Sequence, residues 1–244
     1  MTAILEANDV SCYYGKKCAV KCASIRLEAN EIVAIVGPNG AGKSSLIRGL
    51  IGLNEQITGS VSVDGVVLKR RAADQLAQNG IIMVPQEQGV FGHLSIIDNL
   101  KSSRFILKDT DKALQSLLRS AESLSPNDLK FHDRANDLAS ELSGGQKRIL
   151  ALALALASGP RAILLDEPTL GLSSRNTKAM FQAISRQRRD SSCAFMIVEN
   201  RTIEVLRYSD RVYFMRMGEI IYEGMSKELL DNRALLGRLY GISA

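Results

Sequence analysis

The 244-residue chain has little of several residue types that many functions require. It has no tryptophan, 5% aromatic residues, four cysteines and two histidines. The cysteines show no C-x-x-C spacing, which argues against a zinc site and favours reduced thiols. Because His93 and His132 are the only two histidines, we expect neither a multi-histidine metal site nor a histidine-dependent catalytic triad.

Long apolar runs are also missing. The longest extends from residue 149 to residue 157, whereas a membrane-spanning helix needs about 20 apolar residues, so we expect no such helix. The first ten residues lack the basic and apolar regions of a secretory signal. What is present, 45% apolar and 23% charged residues, is typical of a globular protein. A net charge of +5 suits nucleotide phosphates, nucleic acid or an anionic membrane surface, and does not choose among them.

Short apolar runs alternate with helical patterns along the chain. Four all-apolar runs predict buried strands of a parallel sheet, at 32–36, 81–84, 162–165 and 194–198. Helical patterns are found at 43–53, 72–78, 174–188 and 202–208. Strands that alternate with helices predict an α/β core.

The remaining segments predict additions to that core. Strand-like segments at 4–10, 20–28 and 59–68, the last with an Asp64-Gly65 hairpin signal, predict an N-terminal antiparallel sheet. Cys12, Cys18 and Cys22 are expected to pack near it. We expect one domain of 1–244, which divides into a core of about 1–90 and 158–224, an inserted helical subdomain of about 91–157 and a helical tail, 225–244.

The segment 37–44 reads GPNGAGKS and fits the pattern G-x-x-x-x-G-K-[ST]. Glycines let such a loop curl so that its N–H groups point at phosphate oxygens, and the following helix adds its positive N-terminal end. Lys43 would reach the β- and γ-phosphates, and the Ser44 hydroxyl would bind Mg²⁺. The alternative is a glycine-rich turn without a ligand. The position between a buried strand and a helix favours nucleotide binding.

Asp166 and Glu167 follow the strand predicted at 162–165. Phosphoryl transfer needs a carboxylate near Mg²⁺ and a group that positions water, and these two residues suit those roles in that order. Ligands of α/β sheets bind at the carboxyl ends of strands. The alternative is a solvated turn before Pro168, which the upstream phosphate loop disfavours.

The pentapeptide LSGGQ stands at 142–146, twenty residues before Asp166. Together with the phosphate loop, it resembles the ATP-binding cassette (ABC) family of ATPases, from about residue 4 to residue 224. The resemblance implies a P-loop NTPase (RecA-like) parallel-sheet core with an N-terminal antiparallel β subdomain and an inserted helical subdomain. It also implies hydrolysis of ATP, with Mg²⁺, coupled to transport.

The resemblance assigns site residues. It implies catalytic roles for Glu167, Gln86 and Asn200, and metal contacts from Ser44, Gln86 and Asp166. Nucleotide contacts are implied for Tyr14, Gly37, Pro38, Asn39, Gly40, Ala41, Gly42, Lys43, Ser44, Ser45, Ser143, Gly144, Gly145 and Gln146. Of these, Tyr14 would stack on adenine, and the segment from Ser143 would bind the γ-phosphate of a nucleotide held by another subunit. Ser143 is also suited to cap a helix at 144–157.

Two positions depart from the common family pattern. Asn200 stands where a histidine is usual, and it can donate a hydrogen bond but cannot carry positive charge. Ser173 stands where the loop after Glu167 usually has an aspartate. The Gly-Leu that follows Pro-Thr-Leu at 168–172, and the amide that follows Val198-Glu199, resemble one ATPase of the branched-chain amino acid importers, in which an amide also replaces the histidine. The stretch 85–95 resembles that group and the related lipopolysaccharide-export ATPase.

We therefore expect an ATP-hydrolysing subunit that powers a membrane transporter, importing branched-chain amino acids or a related small solute. Expected partners are integral membrane permease subunits, a second ABC ATPase subunit in a homo- or heterodimer and, indirectly, a solute-binding protein. The expected location is cytoplasmic, on the inner face of the membrane. Alternatives are an exporter of lipid or lipopolysaccharide, a poorly hydrolysing regulatory module, or a non-transport ATPase acting on nucleic acid. The last is suggested by basic clusters at 69–71 and 186–189, but they lack interleaved aromatic residues, so no nucleic acid is expected.

Overall fold

The computed structural model describes residues 3–68, 72–86, 89–102, 131 and 133–242. The strands are β1 Ala3–Tyr14, β2 Lys17–Glu28, β3 Ile32–Val36, β4 Gln56–Val63, β5 Val66–Val67, β6 Ile81–Val84, β7 Ala162–Asp166, β8 Ala194–Val198, β9 Arg211–Arg216 and β10 Glu219–Met225. The helices are α1 Lys43–Leu50, α2 Ala72–Gln78, α3 Ile96–Ser102, α4 Gly144–Ala157, α5 Ser174–Ser191, α6 Thr202–Leu206, α7 Ser226–Asp231 and α8 Arg233–Tyr240.

A six-stranded sheet forms the centre of the molecule, in the order β10-β9-β3-β8-β7-β6. The five strands from β9 to β6 are parallel, and β10 joins the edge antiparallel to β9. Every residue of β3, β7 and β8 is buried, which is why these strands are apolar without alternation. The predicted α/β class and parallel core are confirmed.

Two apolar cores cover the two faces of this sheet. Because neighbouring side chains of a strand point to opposite faces, Ile32, Ala34 and Val36 join one core, and Val33 and Ile35 join the other. The first core contains buried side chains of α4, α5 and α6. The second contains those of α1 and the N-terminal strands. Packing on both faces holds the ends of the central strands in fixed positions.

The second sheet is the predicted N-terminal antiparallel one, with strand order β2-β1-β4-β5. The predicted hairpin is present, because Asp64 and Gly65 connect β4 to β5 with φ values of 49° and 79°. Only Cys12 of the three nearby cysteines packs as expected. Cys18 is half-buried and Cys22 is exposed, since both lie on the outer strand β2.

Two predicted elements differ from the structure. The helix predicted to reach residue 53 ends at Leu50, because Gly52 has a φ of 73° that ends the helix, and Leu53 is exposed. The strand predicted as fully buried at 81–84 is the outermost strand of the sheet, so only its first residue, Ile81, is buried. An apolar sequence alone does not distinguish an edge strand from a central one.

The predicted helical segment, 91–157, is described in part. It contains α3, a 3₁₀ turn at Ala139–Glu141 and α4, and the Ser95–Leu138 bridge joins its two described parts. Residues 103–130, His132 and the basic cluster at 69–71 lie outside the described residues. None of the helices in the described ranges has the length and apolar content required to span a bilayer.

The helices α4 and α5 begin with serine caps. Ser143 Oγ accepts from Gln146 N at 3.3 Å, and Ser143 N donates to Gln146 Oε1 at 2.8 Å, so the two residues form a capping box. This confirms the predicted cap. At the start of α5, Ser173 Oγ accepts from Asn176 N at 3.3 Å. Ser173 thus serves as a helix cap, a role that aspartate would also perform.

Candidate active site

The carboxyl ends of four parallel strands lead to the predicted site. β3 leads into the phosphate loop, β6 is followed by Pro85 and Gln86, β7 ends at Asp166, and Asn200 lies two residues beyond β8. A cavity of about 850 Å³ opens at this edge of the sheet. Of the predicted site residues, it is lined by Tyr14, residues 39–45, Gln86, Glu167 and Asn200. The topology therefore brings together residues from both ends of the chain.

The phosphate loop requires glycine at two positions. Gly37 and Gly42 have φ values of 145° and 101°. A Cβ at Gly37 would lie 2.0 Å from the backbone oxygen of Met215, and one at Gly42 would lie 2.5 Å from that of Ala19. Both neighbours are backbone atoms, which cannot rotate out of the way as a side chain can. The loop therefore has no room for a side chain at Gly37 or Gly42.

Lys43 lies beneath the loop as a buried cation. Its Nζ donates to the carbonyl oxygens of Gly37 at 2.9 Å and Pro38 at 3.0 Å. Burial lowers the pKa of Lys43 below its ordinary value, and the charges of Glu167 and Asp166 oppose that shift. A phosphate in the cavity would supply the anionic partner that favours the charged form.

Ser44, which lines the cavity, is in direct contact with Asp166. Ser44 Oγ donates to Asp166 Oδ1 at 2.7 Å. Asp166 Oδ2 is buried and has no hydrogen-bond partner among the described residues. The guanidinium of Arg48 is the nearby positive charge, but its Nη2 lies 3.7 Å from Oδ2, which is too far for a hydrogen bond. Within the described ranges, no group of three or more His, Cys, Asp or Glu side chains is arranged to hold a metal ion. A magnesium site does not require three such side chains, because Mg²⁺ usually binds one or two carboxylates together with waters and substrate phosphates. The Ser44 hydroxyl and the Asp166 carboxylate therefore fit this ion.

The three predicted catalytic side chains converge on one point. Glu167 Oε1 accepts from Asn200 Nδ2 at 2.7 Å, and its Oε2 accepts from Gln86 Nε2 at 3.4 Å. The Glu167 backbone donates to the Val198 carbonyl at 2.9 Å and has a φ of 49°. A non-glycine residue in this left-handed conformation is uncommon and is found disproportionately at functional sites.

Tyr14 also lines the cavity. Its hydroxyl donates to Asn54 Oδ1 at 3.1 Å, and its side chain remains 39% exposed. The next residue, Gly15, donates its N–H to Glu55 Oε2 at 3.0 Å. These contacts hold the ring beside the cavity, where a face can stack on a nucleotide base.

The segment from Ser143 to Gln146 does not line this cavity. It forms the N-terminus of α4, and a Cβ at Gly145 would lie 2.4 Å from the Leu172 side chain. One chain thus carries the predicted nucleotide contacts at two separate places.

Sequence reasoning missed several residues. Lys17, Cys18 and Met217 line the cavity, although no motif marks them. Glu199 is buried between Val198 and Asn200, and the sequence carried a signal for it. A charged residue placed directly after an all-apolar strand has to find hydrogen-bond partners in the interior.

Comparison with known proteins identifies the family of the chain. The family model described as "ABC transporter" matches residues 20–170. The chain belongs to the ABC transporter family. Its ATPases hydrolyse ATP with Mg²⁺ to power transport, so the predicted family, activity and cofactors are confirmed.

The ABC ATPase has relatives that match over nearly their whole length. It is 32% identical to the high-affinity branched-chain amino acid transport ATP-binding protein BraG of Pseudomonas aeruginosa, over 94% of this chain and 96% of the relative. It is 31% identical to the lipopolysaccharide export system ATP-binding protein LptB of Haemophilus influenzae, over 94% of each.

Solved structures of ATP-binding cassettes share the fold. A nucleotide-free cassette of an ABC transporter superposes with a TM-score of 0.83, covers 98% of each chain and is 24% identical. A cassette in its ADP conformation gives a TM-score of 0.79, covers 100% of each chain and is 25% identical. The predicted P-loop NTPase fold is confirmed.

Proposed function

We propose that this ABC ATPase powers the import of branched-chain amino acids or a related small solute. The observation that carries the proposal is Asn200, an amide where the family usually has histidine, bonded directly to Glu167. The resemblance to one ATPase of the branched-chain importers rests on this amide after Val198-Glu199 and on the Gly-Leu that follows Pro-Thr-Leu at 168–172. The 32% identity to BraG supports the same assignment.

The proposed chemistry divides between four groups of residues. The loop 37–45 surrounds the phosphates, with Lys43 as their cation, and Tyr14 stacks on the base. Ser44, Asp166 and Gln86 would hold Mg²⁺, which would supply positive charge to neutralise the phosphate oxygens. Glu167 accepts a proton from the attacking water and orients it, while Gln86 and Asn200 hold the Glu167 carboxylate in place.

The proposed partners follow from what one chain contributes. Because the segment from Ser143 does not line the cavity of its own chain, we propose that it contacts the nucleotide of a second copy, in a head-to-tail pair. Integral membrane permeases would form the path for the solute, and a solute-binding protein would deliver it to them. With these partners, the ABC ATPase would lie in the cytoplasm, on the inner face of the membrane.

Nucleic acid is not proposed as a partner. In the described basic cluster, Arg188 forms two hydrogen bonds with Asp210, at 2.8 Å and 2.6 Å, so it is neutralised within the chain. Arg186 and Arg189 are exposed on α5, without an aromatic residue between them. Sequence-tolerant binding of single strands depends on such aromatic residues.

The import assignment is tested by reconstitution. The ABC ATPase is assembled in proteoliposomes with permease subunits and a solute-binding protein, and uptake of leucine, isoleucine and valine is measured. ATP-dependent uptake is expected, and vesicles assembled with Glu167→Gln should show none. ATP hydrolysis without uptake of any of the three contradicts the assignment to branched-chain amino acids, and hydrolysis stimulated by lipopolysaccharide favours export.

A further inference from the structure

Glu199 occupies a central position in the sheet but has no assigned role. It follows β8, which lies between β3 and β7, and its N–H still donates to the Ile35 carbonyl at 3.1 Å. Its side chain is 2% exposed. A buried carboxylate is costly unless its oxygens are well hydrogen-bonded, so its partners show what it does.

The two oxygens of Glu199 bind two different segments. Oε1 accepts from Thr169 N at 3.0 Å and from Thr169 Oγ1 at 2.5 Å. Oε2 accepts from Asn200 N at 3.0 Å and from Arg201 N at 3.3 Å. Four donors therefore meet this one carboxyl group, two on each oxygen, so its burial is compensated by hydrogen bonds.

Each bound segment carries one side chain of the proposed site. Thr169 lies two residues after Glu167, and Asn200 is itself the amide that contacts Glu167. We propose that Glu199 is a positioning residue that holds the Glu167 and Asn200 backbones in register, so that their 2.7 Å contact forms. In this role, Glu199 contacts neither the nucleotide phosphates nor the attacking water. The inference rests on the proposed roles of Glu167 and Asn200.

A second set of contacts continues from the same turn. Arg201 donates from Nη2 to the Leu172 carbonyl at 2.8 Å and from Nη1 to Thr177 Oγ1 at 2.6 Å. Arg148 of α4 donates to the Leu170 carbonyl. The turn 168–172 is thus held on several sides. If Thr169 moves, we therefore expect the turn 168–172 to move relative to α4 and Glu167 to move with it.

Glu199→Gln tests the role with little change of shape. One oxygen still accepts from Thr169, but the new amide faces the N–H groups of Asn200 and Arg201, which are donors as well. We expect kcat for ATP hydrolysis to fall about tenfold or more, and the Kd for ATP to change by less than about threefold. Glu204→Gln, the same change at an exposed glutamate of α6, is the matched control and should hydrolyse ATP normally.

Thr169 provides a second variant that keeps the carboxylate. Thr169→Val removes the hydroxyl donor and should lower kcat several-fold, whereas Thr169→Ser keeps that donor and should restore kcat to within about twofold of the parent. If the two residues act as one unit, Glu199→Gln combined with Thr169→Val loses little more than Glu199→Gln alone. Full additivity of the two changes contradicts the inference.

Further outcomes test the positioning role of Glu199 and separate it from the role of Glu167. A Glu199→Gln variant that hydrolyses ATP within twofold of the parent, or that loses ATP affinity in proportion to kcat, overturns the positioning role. If Glu167→Gln also hydrolyses ATP normally, the proposed role of Glu167, on which this inference rests, has failed. If Glu167→Gln abolishes hydrolysis and Glu199→Gln does not, only the present inference has failed.

Discussion

Glu167→Gln is expected to lower kcat for ATP hydrolysis by about 10²–10⁴-fold, because a positioned general base contributes that much. Glutamine has the shape of glutamate, and its oxygen still accepts from Asn200, but it takes no proton from water. ATP binding should stay within about threefold of the parent, since the contacts to phosphate lie elsewhere.

The measurement is phosphate release under saturating MgATP, together with the Kd for a fluorescent ATP analogue. Glu204→Gln, on the exposed face of α6, controls for the loss of one negative charge and should match the parent. Turnover of Glu167→Gln at the parental rate would show that the assigned role is wrong. Loss of ATP affinity in proportion to turnover would assign Glu167 to binding instead.

Lys43→Ala is expected to weaken ATP binding by about 10²-fold or more. Lys43 is a buried cation whose pKa is lowered by burial, and the anionic phosphates would replace two carbonyl oxygens as its partners. Charge-assisted hydrogen bonds of this kind contribute about 1.5–3 kcal/mol each, and two of them account for a loss of this size.

Lys43 also predicts a dependence of binding on pH. The ammonium binds phosphate only when protonated, and its lowered pKa brings deprotonation below the ordinary range near 10.5. The affinity of the parent for ATP should therefore decline as the pH rises toward that lowered pKa, and Lys43→Ala should show no such decline. Lys227→Ala, an exposed lysine of α7, is the control. An unchanged affinity in Lys43→Ala contradicts the role of Lys43.

Much of the fold could be predicted because the central strands are covered on both faces. The runs at β3, β7 and β8 are apolar without interruption, and this pattern marks buried parallel strands. The phosphate loop was also predictable, since its glycines satisfy a local backbone requirement. The edge position of β6 was not, because it depends on which strands lie beside it.

The contacts within the site are long-range, and local patterns do not show them. Ser44 and Asp166 are 122 residues apart in sequence, yet they lie 2.7 Å apart. Family resemblance assigned both to the metal, but only the topology brings them together. Glu199 shows the opposite case, a residue next to a predicted one whose four hydrogen bonds became visible only in three dimensions.

The central claim is that the Ser143 segment of one chain completes the phosphate loop site of another. It is tested most directly by mixing two inactive variants, Lys43→Ala and Ser143→Arg. The first has a defective phosphate loop with an intact Ser143 segment, and the second has the reverse. Alone, each variant should hydrolyse ATP at a small fraction of the parental rate.

Equal amounts are mixed, and phosphate release is measured. Random pairing makes half of the dimers mixed, and each of these has one intact site of two, so the mixture should recover about a quarter of the parental rate. A mixture no more active than the mean of the two variants contradicts the head-to-tail account.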